Sequence, residues 1–476
     1  MKRLLSVLLS ITLVLGLSVG VQLTPVKADG TINNCLPANG QTINLLSDYV
    51  YDFCANYTRD AAKQYYKKGS NRYAPTPARL AWDAVSGASS YTVEISTNSD
   101  LSGAKSHTAT TNMIDIEDLF AGYTYYYRVS TSVSGTSYVS AVNTFKTANL
   151  PRTCSIDGVN NSRDIGGCYT STGQRVFQGK IYRGARLDQI KETGKKKMLE
   201  VYGIKTDLDL REASKVPATP PLGNTVNLIN ISAPQYLGNP TSSNELGGFD
   251  RASNWPVVKK EMEVFANASN YPIYVHCNIG RDRTGSILFL LEALLGMSEN
   301  DIYRDYDLSY FASLSSEKIT DPSLFNSVNI DTLVNYIKNY STGNLQQNTE
   351  AYLKKSVGLT DAQISQIKGN LLSAAPKTTP AKPGKVKIKS AKNSKKKAVV
   401  VKFKKVKGAV GYQVWWSKNK KFKKGTKKKF TKKTKYTIKK LKKKKTYYIK
   451  VRAYNMNGNK KQFGLFSKIK KVKIKK

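Results

Sequence analysis

A chain of 476 residues exceeds one typical domain, so two to four folding units are expected. Its net charge of +43 is confined: residues 382–476 hold 39 lysines and arginines and no carboxylate side chain, which leaves 43 − 39 = +4 for the rest. Only two histidines occur, His107 and His276, which nearly excludes a serine–histidine triad or a histidine-based metal site.

In chain order, Lys2 and Arg3 precede an apolar run from Leu4 to about Val21 and then Val26-Lys27-Ala28. This is the pattern of an export signal cut after Ala28. No later stretch approaches the ~18 apolar residues of a membrane span, so the mature chain is expected to be soluble and exported. Residues 29–74 form a polar and aromatic lead-in with helical character around Leu45–Tyr66 and no readable function.

Residues 75–148 alternate apolar and polar positions over short runs, the period of half-buried strands. The segment Leu80–Ser96 is repeated at Val401–Ser417: Trp82 matches Phe403, Gly87-Ala88 matches Gly408-Ala409, and Tyr91 matches Tyr412, the aromatic-to-tyrosine spacing being nine in both. Each copy continues to a leucine followed ten residues later by a valine, Leu119 to Val129 and Leu441 to Val451, through an alternating aromatic strand. Two copies of one small β-sandwich are expected. Both segments, about 75–148 and 383–476, resemble fibronectin type III domains, and the resemblance implies spacers or binding units without catalysis.

Between them, over about 150–375, strand patterns such as Ile204–Leu210 and Ile273–His276 alternate with helical ones such as Ile287–Leu295, an α/β reading. The run from Ala374 to Gly384 then marks an extended Pro/Lys linker, 376–382, before the last module. The fold class expected is thus multidomain, a central α/β domain whose sheet is flanked by helices, with two all-β sandwiches. Five cysteines are present, and two short-loop disulfides, Cys35–Cys54 and Cys154–Cys168, would leave Cys277 free; the alternative is that all five are reduced.

Chemistry concentrates at His276-Cys277-Asn278-Ile279-Gly280-Arg281-Asp282-Arg283-Thr284-Gly285, a loop between a buried strand ending at His276 and a helix starting near Thr284. Backbone N–H groups and the positive helix end converge in such a turn, which binds an anion and favours a thiolate. Cys277 reads as nucleophile and Arg283 as a planar fork for two phosphoryl oxygens. Gly280 permits the curl, Gly285 close packing, and Thr284 a hydrogen bond to the sulfur; Asn278, Ile279 and Arg281 complete the cradle. His276 orients the loop and stabilises the thiolate, or is a satisfied core histidine. The leaving oxygen needs a proton, and three carboxyls are candidates: Asp282 in the loop, Asp209 near a strand end, and Asp250 in a Gly-rich segment. Asp209 has an alternative structural reading as partner of Arg211 or Arg186.

The loop resembles the signature of the protein tyrosine phosphatase superfamily, in particular bacterial tyrosine and dual-specificity phosphatases. Asn160–Gly167, Gly179–Leu187, Gly203–Arg211 and Tyr352–Thr360 resemble that family's other blocks, so the likeness covers about 155–373. It implies hydrolysis of phosphate monoesters through a phosphocysteine, with no metal or cofactor, and favours Asp282 as the acid. Substrates implied are phosphorylated proteins or phosphoinositides. Arg281 stands where the family usually has lysine, which puts a contact to a second phosphate in doubt. The Lys-rich module is expected to hold a polyanion, an anionic cell-wall polymer or anionic membrane surface before nucleic acid, or else to be only a solvated surface.

Overall fold

The computed structural model describes residues 30–62, 74–237, 248–311, 330–374, 382–423, 425–457 and 460–475. The expected export signal and most of the expected linker lie outside them. The chain divides into two compact units, Met1–Ala375 and Pro376–Lys476. No helix among the described residues is long and apolar enough to cross a membrane.

The first unit opens with β1 (Gly30–Ile32) and β2 (Gln41–Ile43), followed by α1 (Asp48–Ala55) and α2 (Arg59–Ala62). Then come β3 (Ala78–Ala81), β4 (Tyr91–Ser96), β5 (Lys105–Ala109), β6 (Met113–Ile116), β7 (Thr124–Val133), β8 (Thr136–Ser140) and β9 (Asn143–Thr147). β3 and β6 form one small sheet and the others a larger one, with Leu80, Trp82, Val93, Tyr127 and Phe145 in the core they share. The lead-in thus adds two short strands along one edge of this sheet, β1 beside β8 and β2 beside β9, with β5 at the opposite edge. Its helices instead build a separate apolar cluster in which Phe53 and Tyr57 meet Leu308 and Phe311.

The α/β part carries β10 (Arg152–Thr153), β11 (Arg163–Asp164), β12 (Ile181–Gly184), α3 (Glu192–Lys196), β13 (Thr206–Asp209), β14 (Asn227–Asn230), α4 (Trp255–Ala266) and β15 (Ile273–His276). It continues with α5 (Asp282–Leu295), α6 (Glu299–Asp307), α7 (Asp331–Lys338), α8 (Leu345–Lys355) and α9 (Asp361–Leu371). The sheet order is β10-β11-β12-β15-β13-β14, and the last four strands are parallel. Alternation sorts the faces: Ile181, Ile273 and Val275 point to the cluster shared with α4, α5, α8 and α9, while Tyr182 and Tyr274 point to a smaller one with Met198 and Tyr202. α5 is buried from Arg283 to Leu295, as a helix apolar on every side must be.

The two parts of this unit meet through the β6–β7 loop. Arg152 lies 3.0 Å from Asp164 and donates to the carbonyls of Leu119 and Asp118. Gln178 exchanges two hydrogen bonds with the Ala121 backbone, and Tyr202 donates to Asp118 at 2.6 Å.

The second unit has β16 (Ile388–Lys395), β17 (Ala398–Phe403), β18 (Gly411–Ser417), β19 (Lys427–Thr431), β20 (Lys435–Ile438), β21 (Thr446–Asn457), β22 (Lys460–Phe463) and β23 (Lys470–Lys473). They form a three-stranded and a five-stranded sheet around one core that includes Val401, Phe403, Tyr412, Val414 and Val451.

The expected disulfides are not formed: all five cysteines are free. Cys35 packs on the first β-core and Cys54 is on the buried face of α1, whereas Cys154 and Cys168 lie against opposite faces of the α/β sheet. Proximity in sequence therefore misled, because each thiol was claimed by a different apolar cluster. Burial pushes Cys54, Cys154 and Cys168 up to about 12 and raises Cys35 as well, so these behave as packed hydrophobes.

Candidate active site

β15 is an inner strand of the parallel set, between β12 and β13, and open α/β sheets collect ligands outside the carboxyl ends of such strands. Cys277 follows β15 directly, and α5 begins five residues later at Asp282. Cys277 is 3% exposed and touches the apolar cluster below, whereas Asn278 is exposed, so the thiol residue forms the floor of the loop, one residue from solvent.

Four successive loop carbonyls are held from outside. The Cys277 carbonyl lies 3.0 Å from His276 Nδ1, and the Asn278 carbonyl accepts from the Arg186 amide at 3.1 Å. The Ile279 carbonyl accepts from Asn161 Nδ2 at 2.8 Å, and the Gly280 carbonyl from Arg183 Nη2 at 2.7 Å. In a trans peptide the N–H points opposite to the C=O, so the amides of residues 278–281 are turned away from these partners, toward the inside of the curl. That is the arrangement of an anion-binding nest. Gly280 has φ +71°, and a Cβ there would lie 2.0 Å from the Gly184 carbonyl oxygen, so no side chain fits.

Arg283 stands in the first turn of α5, its Nη1 3.0 Å from Glu212 Oε1 and 3.4 Å from the Leu210 carbonyl. Thr284 is fully buried, and its hydroxyl has no hydrogen-bond partner among the described residues, which leaves it able to serve a group inside the loop. Asn278 Oδ1 accepts from half-exposed Arg186 at 2.7 Å.

Beneath the loop, His276 is 1% exposed with Nε2 2.9 Å from Asp207 Oδ1. Burial by itself favours a neutral ring, but the Asp207 carboxylate, with Asp209 behind it, outweighs this and lifts His276 to about 9. His276 is thus a buried cation beneath the loop, held by Asp207 and away from the exposed mouth at Asn278. Arg281 needs a correction: it is 4% exposed, 5.5 Å from the Tyr306 ring, with its charge felt by Asp307, so it packs toward α6 rather than completing the cradle.

Among the acid candidates, Asp209 is 1% exposed and doubly engaged by Arg211, at 2.7 Å through Nη2 and 3.0 Å through Nε. The structural reading of Asp209 is the one found, and its role as acid is corrected. Asp250 exerts its charge on Tyr336 and Tyr352. Asp282 is partly exposed at the mouth of α5 and accepts from the Tyr306 hydroxyl at 3.2 Å. Sequence reasoning missed Glu212, and it gave no role to Asn161 and Arg183, although both lie in upstream blocks that resemble the family.

Residues 154–373 match the model of the tyrosine phosphatase family. A relative in Cupriavidus necator, named by inference as a tyrosine-protein phosphatase, is 25% identical over 32% of this chain and 60% of its own length. The Debaryomyces hansenii protein OCA1, named in the same way, is 32% identical over 22% of this chain and 55% of its own. The chain thus spans less than two thirds of these relatives. The core catalytic domain of the PP-IP phosphatase SIW14 from S. cerevisiae, solved with citrate, has 19% identity and a TM-score of 0.21, covering 36% of this chain and 88% of that one. Residues 154–373 are therefore similar to the tyrosine phosphatase family over the segment that carries the Cys277 loop.

Proposed function

We propose that the chain is an exported cysteine-dependent phosphatase that hydrolyses phosphate monoesters, phosphotyrosine or other phosphoprotein groups, through a phosphocysteine. The observation that carries this is the set of four outward-held carbonyls at residues 277–280, which turns the loop amides inward between Cys277 and Arg283. In the first step the Cys277 thiolate attacks phosphorus, the P–O bond to the substrate breaks, and Asp282 gives its proton to the departing oxygen. The ionised Asp282 then takes a proton from water, whose oxygen attacks phosphorus and releases inorganic phosphate and the thiolate. Arg283, fixed by Glu212, and the loop amides balance the charge on the equatorial oxygens throughout.

The flanking β-units are fibronectin type III-like spacers, and the Lys-rich one tethers the enzyme to an anionic envelope polymer. Its core repeats that of the first: Tyr91 and Tyr412 hydroxyls accept from the amides of Val85 and Val406, at 2.8 and 3.0 Å.

Replacing Cys277 by Ser and assaying a small aryl phosphate tests the chemistry. Turnover should fall by about 10⁴-fold or more, with Asp282→Asn slowing alkyl phosphates far more than activated aryl ones. Equal turnover by Cys277→Ser and the parent chain would remove the proposal.

A further inference from the structure

The two β-units are copies of one pattern, so each serves as a control for the other's surface. On the outer face of the first, Glu94 on β4 opposes Arg128 on β7, 2.6 Å apart, and Thr92 opposes Ser130. Thr108 and Ser106 on β5 lie beside Thr92 and Glu94, so these six positions hold no aromatic ring. In the second unit the same register gives Trp415 opposite Lys450 and Gln413 opposite Arg452, with Lys428 and Phe430 on the neighbouring strand. An ion pair has been exchanged for rings and cations that the shared fold does not require.

These groups are organised rather than scattered. Lys450 Nζ lies 4.1, 4.3 and 4.9 Å from the ring centroids of Phe466, Phe422 and Trp415. The Arg452 guanidinium lies 3.8 Å from the Phe463 ring and 4.6 Å from that of Phe466, and its Nε donates to Gln413 at 2.9 Å. Arg452 is the single arginine among the 39 cations of residues 382–476, and it stands in this cluster. Lysine suffices for diffuse charge, whereas arginine adds a planar fork for an oxyanion. Two residues apart on one strand face, Lys450 and Arg452 present fixed positive groups at a spacing of about 7 Å.

Resting on the tether reading above, we infer that this face of the five-stranded sheet is a built binding site for an extended anionic chain of polyol or sugar phosphate units. Lys450 and Arg452 take successive phosphates, and the exposed parts of Trp415, Phe430 and Phe463 lie against the carbon skeleton between them. The remaining lysines supply long-range attraction without choosing a partner. Two other polyanionic surfaces fit less well. Single-stranded nucleic acid stacks bases on free ring faces, and here cations already occupy them. A bilayer accepts rings inward with cations at the rim, but these cations sit among the rings, where insertion would carry charge into hydrocarbon.

The test uses the full chain binding to poly(glycerol phosphate) across a salt series, with Trp415→Glu and Arg452→Ser, which restore the first unit's residues. The control is Lys402→Ser on the exposed side of the other sheet, which changes the net charge by the same single unit. Each face variant should bind roughly tenfold more weakly, while the control loses less than about threefold. Equal losses in all three would overturn the built site and leave a tether by bulk charge standing. No retention of the parent chain at low salt would remove site and tether together. Tighter binding to oligothymidylate or to phosphatidylglycerol vesicles than to the polymer would overturn the assigned partner. Circular dichroism checks each fold; should Trp415→Glu unfold, Arg452→Lys keeps the charge without the fork and is expected to fall between parent and Arg452→Ser.

Discussion

His276 shows how one buried charge links stability to the Cys277 loop. Its folded-state value of about 9 lies above the ordinary 6.5, so the protonated ring stabilises the fold against the unfolded chain. That contribution is complete below pH 6.5 and disappears as the pH rises through about 9. Denaturant unfolding should therefore show the parent chain losing stability across this window, with the loss reduced in Asp207→Asn, which removes the nearer of the two carboxylates that hold the His276 proton and leaves Asp209 at 3.8 Å. Parallel pH profiles in the two proteins would contradict the assignment. The same residue measures what sequence reveals at this scale. Cys277, Arg283 and Gly280 announce themselves because their spacing is local and the loop is one continuous segment. His276 is legible as a support of the loop or a core histidine, but its partner Asp207 is not, since that residue lies on a neighbouring strand. Arg281 was misread because charge in a phosphate loop suggests phosphate, whereas the Tyr306 ring and the carboxylates of α6 supply a nearer match.

At the scale of elements, the repeated β-pattern is legible because its contacts are short-range: each copy sets its core tyrosine against an aromatic nine residues earlier, Trp82 with Tyr91 and Phe403 with Tyr412. β1 and β2 are illegible for the opposite reason. Three-residue strands carry too little alternation to recognise, and they exist because an edge of the larger sheet is there to receive them. The docking of this sheet on the α/β part is equally hidden, since Arg152 and its partners at Asp118, Leu119 and Asp164 become neighbours only in the fold. Arg152 is 5% exposed, and its loss leaves the Asp164 carboxylate buried with only the amides of Gly166 and Gly179. Arg152→Ala should cost about 3–5 kcal/mol, the usual penalty for breaking a buried pair. Hydrogen exchange should show the loosening both in the β6–β7 loop and around β11; a change restricted to one side would deny that the parts share an interface.

Across the whole molecule, charge and chemistry are divided. Thirty-nine cations lie in residues 382–476, while the Cys277 loop is stabilised by paired charges inside residues 154–373. The loop that docks the first β-unit carries Glu117 and Asp118; its counterpart in the second, Lys439–Lys445, holds six lysines and one leucine. One sandwich has thus been used twice, once with carboxylates that pair with Lys197 of the α/β part and once with a surface that repels every cation. The division predicts two different responses to salt. Retention on an anionic polymer should fall steeply between about 50 and 500 mM salt, because each phosphate contact releases a counterion. Turnover of a small aryl phosphate should change little, since Arg283, His276 and Asp207 around Cys277 are buried and screened weakly. Removing residues 376–476 should abolish retention and leave kcat/KM for that substrate within about twofold, a small ΔΔG‡ on the usual logarithmic scale. A truncated chain that still bound the polymer would place the tether elsewhere, and one that lost turnover would show that the basic unit also serves the chemistry.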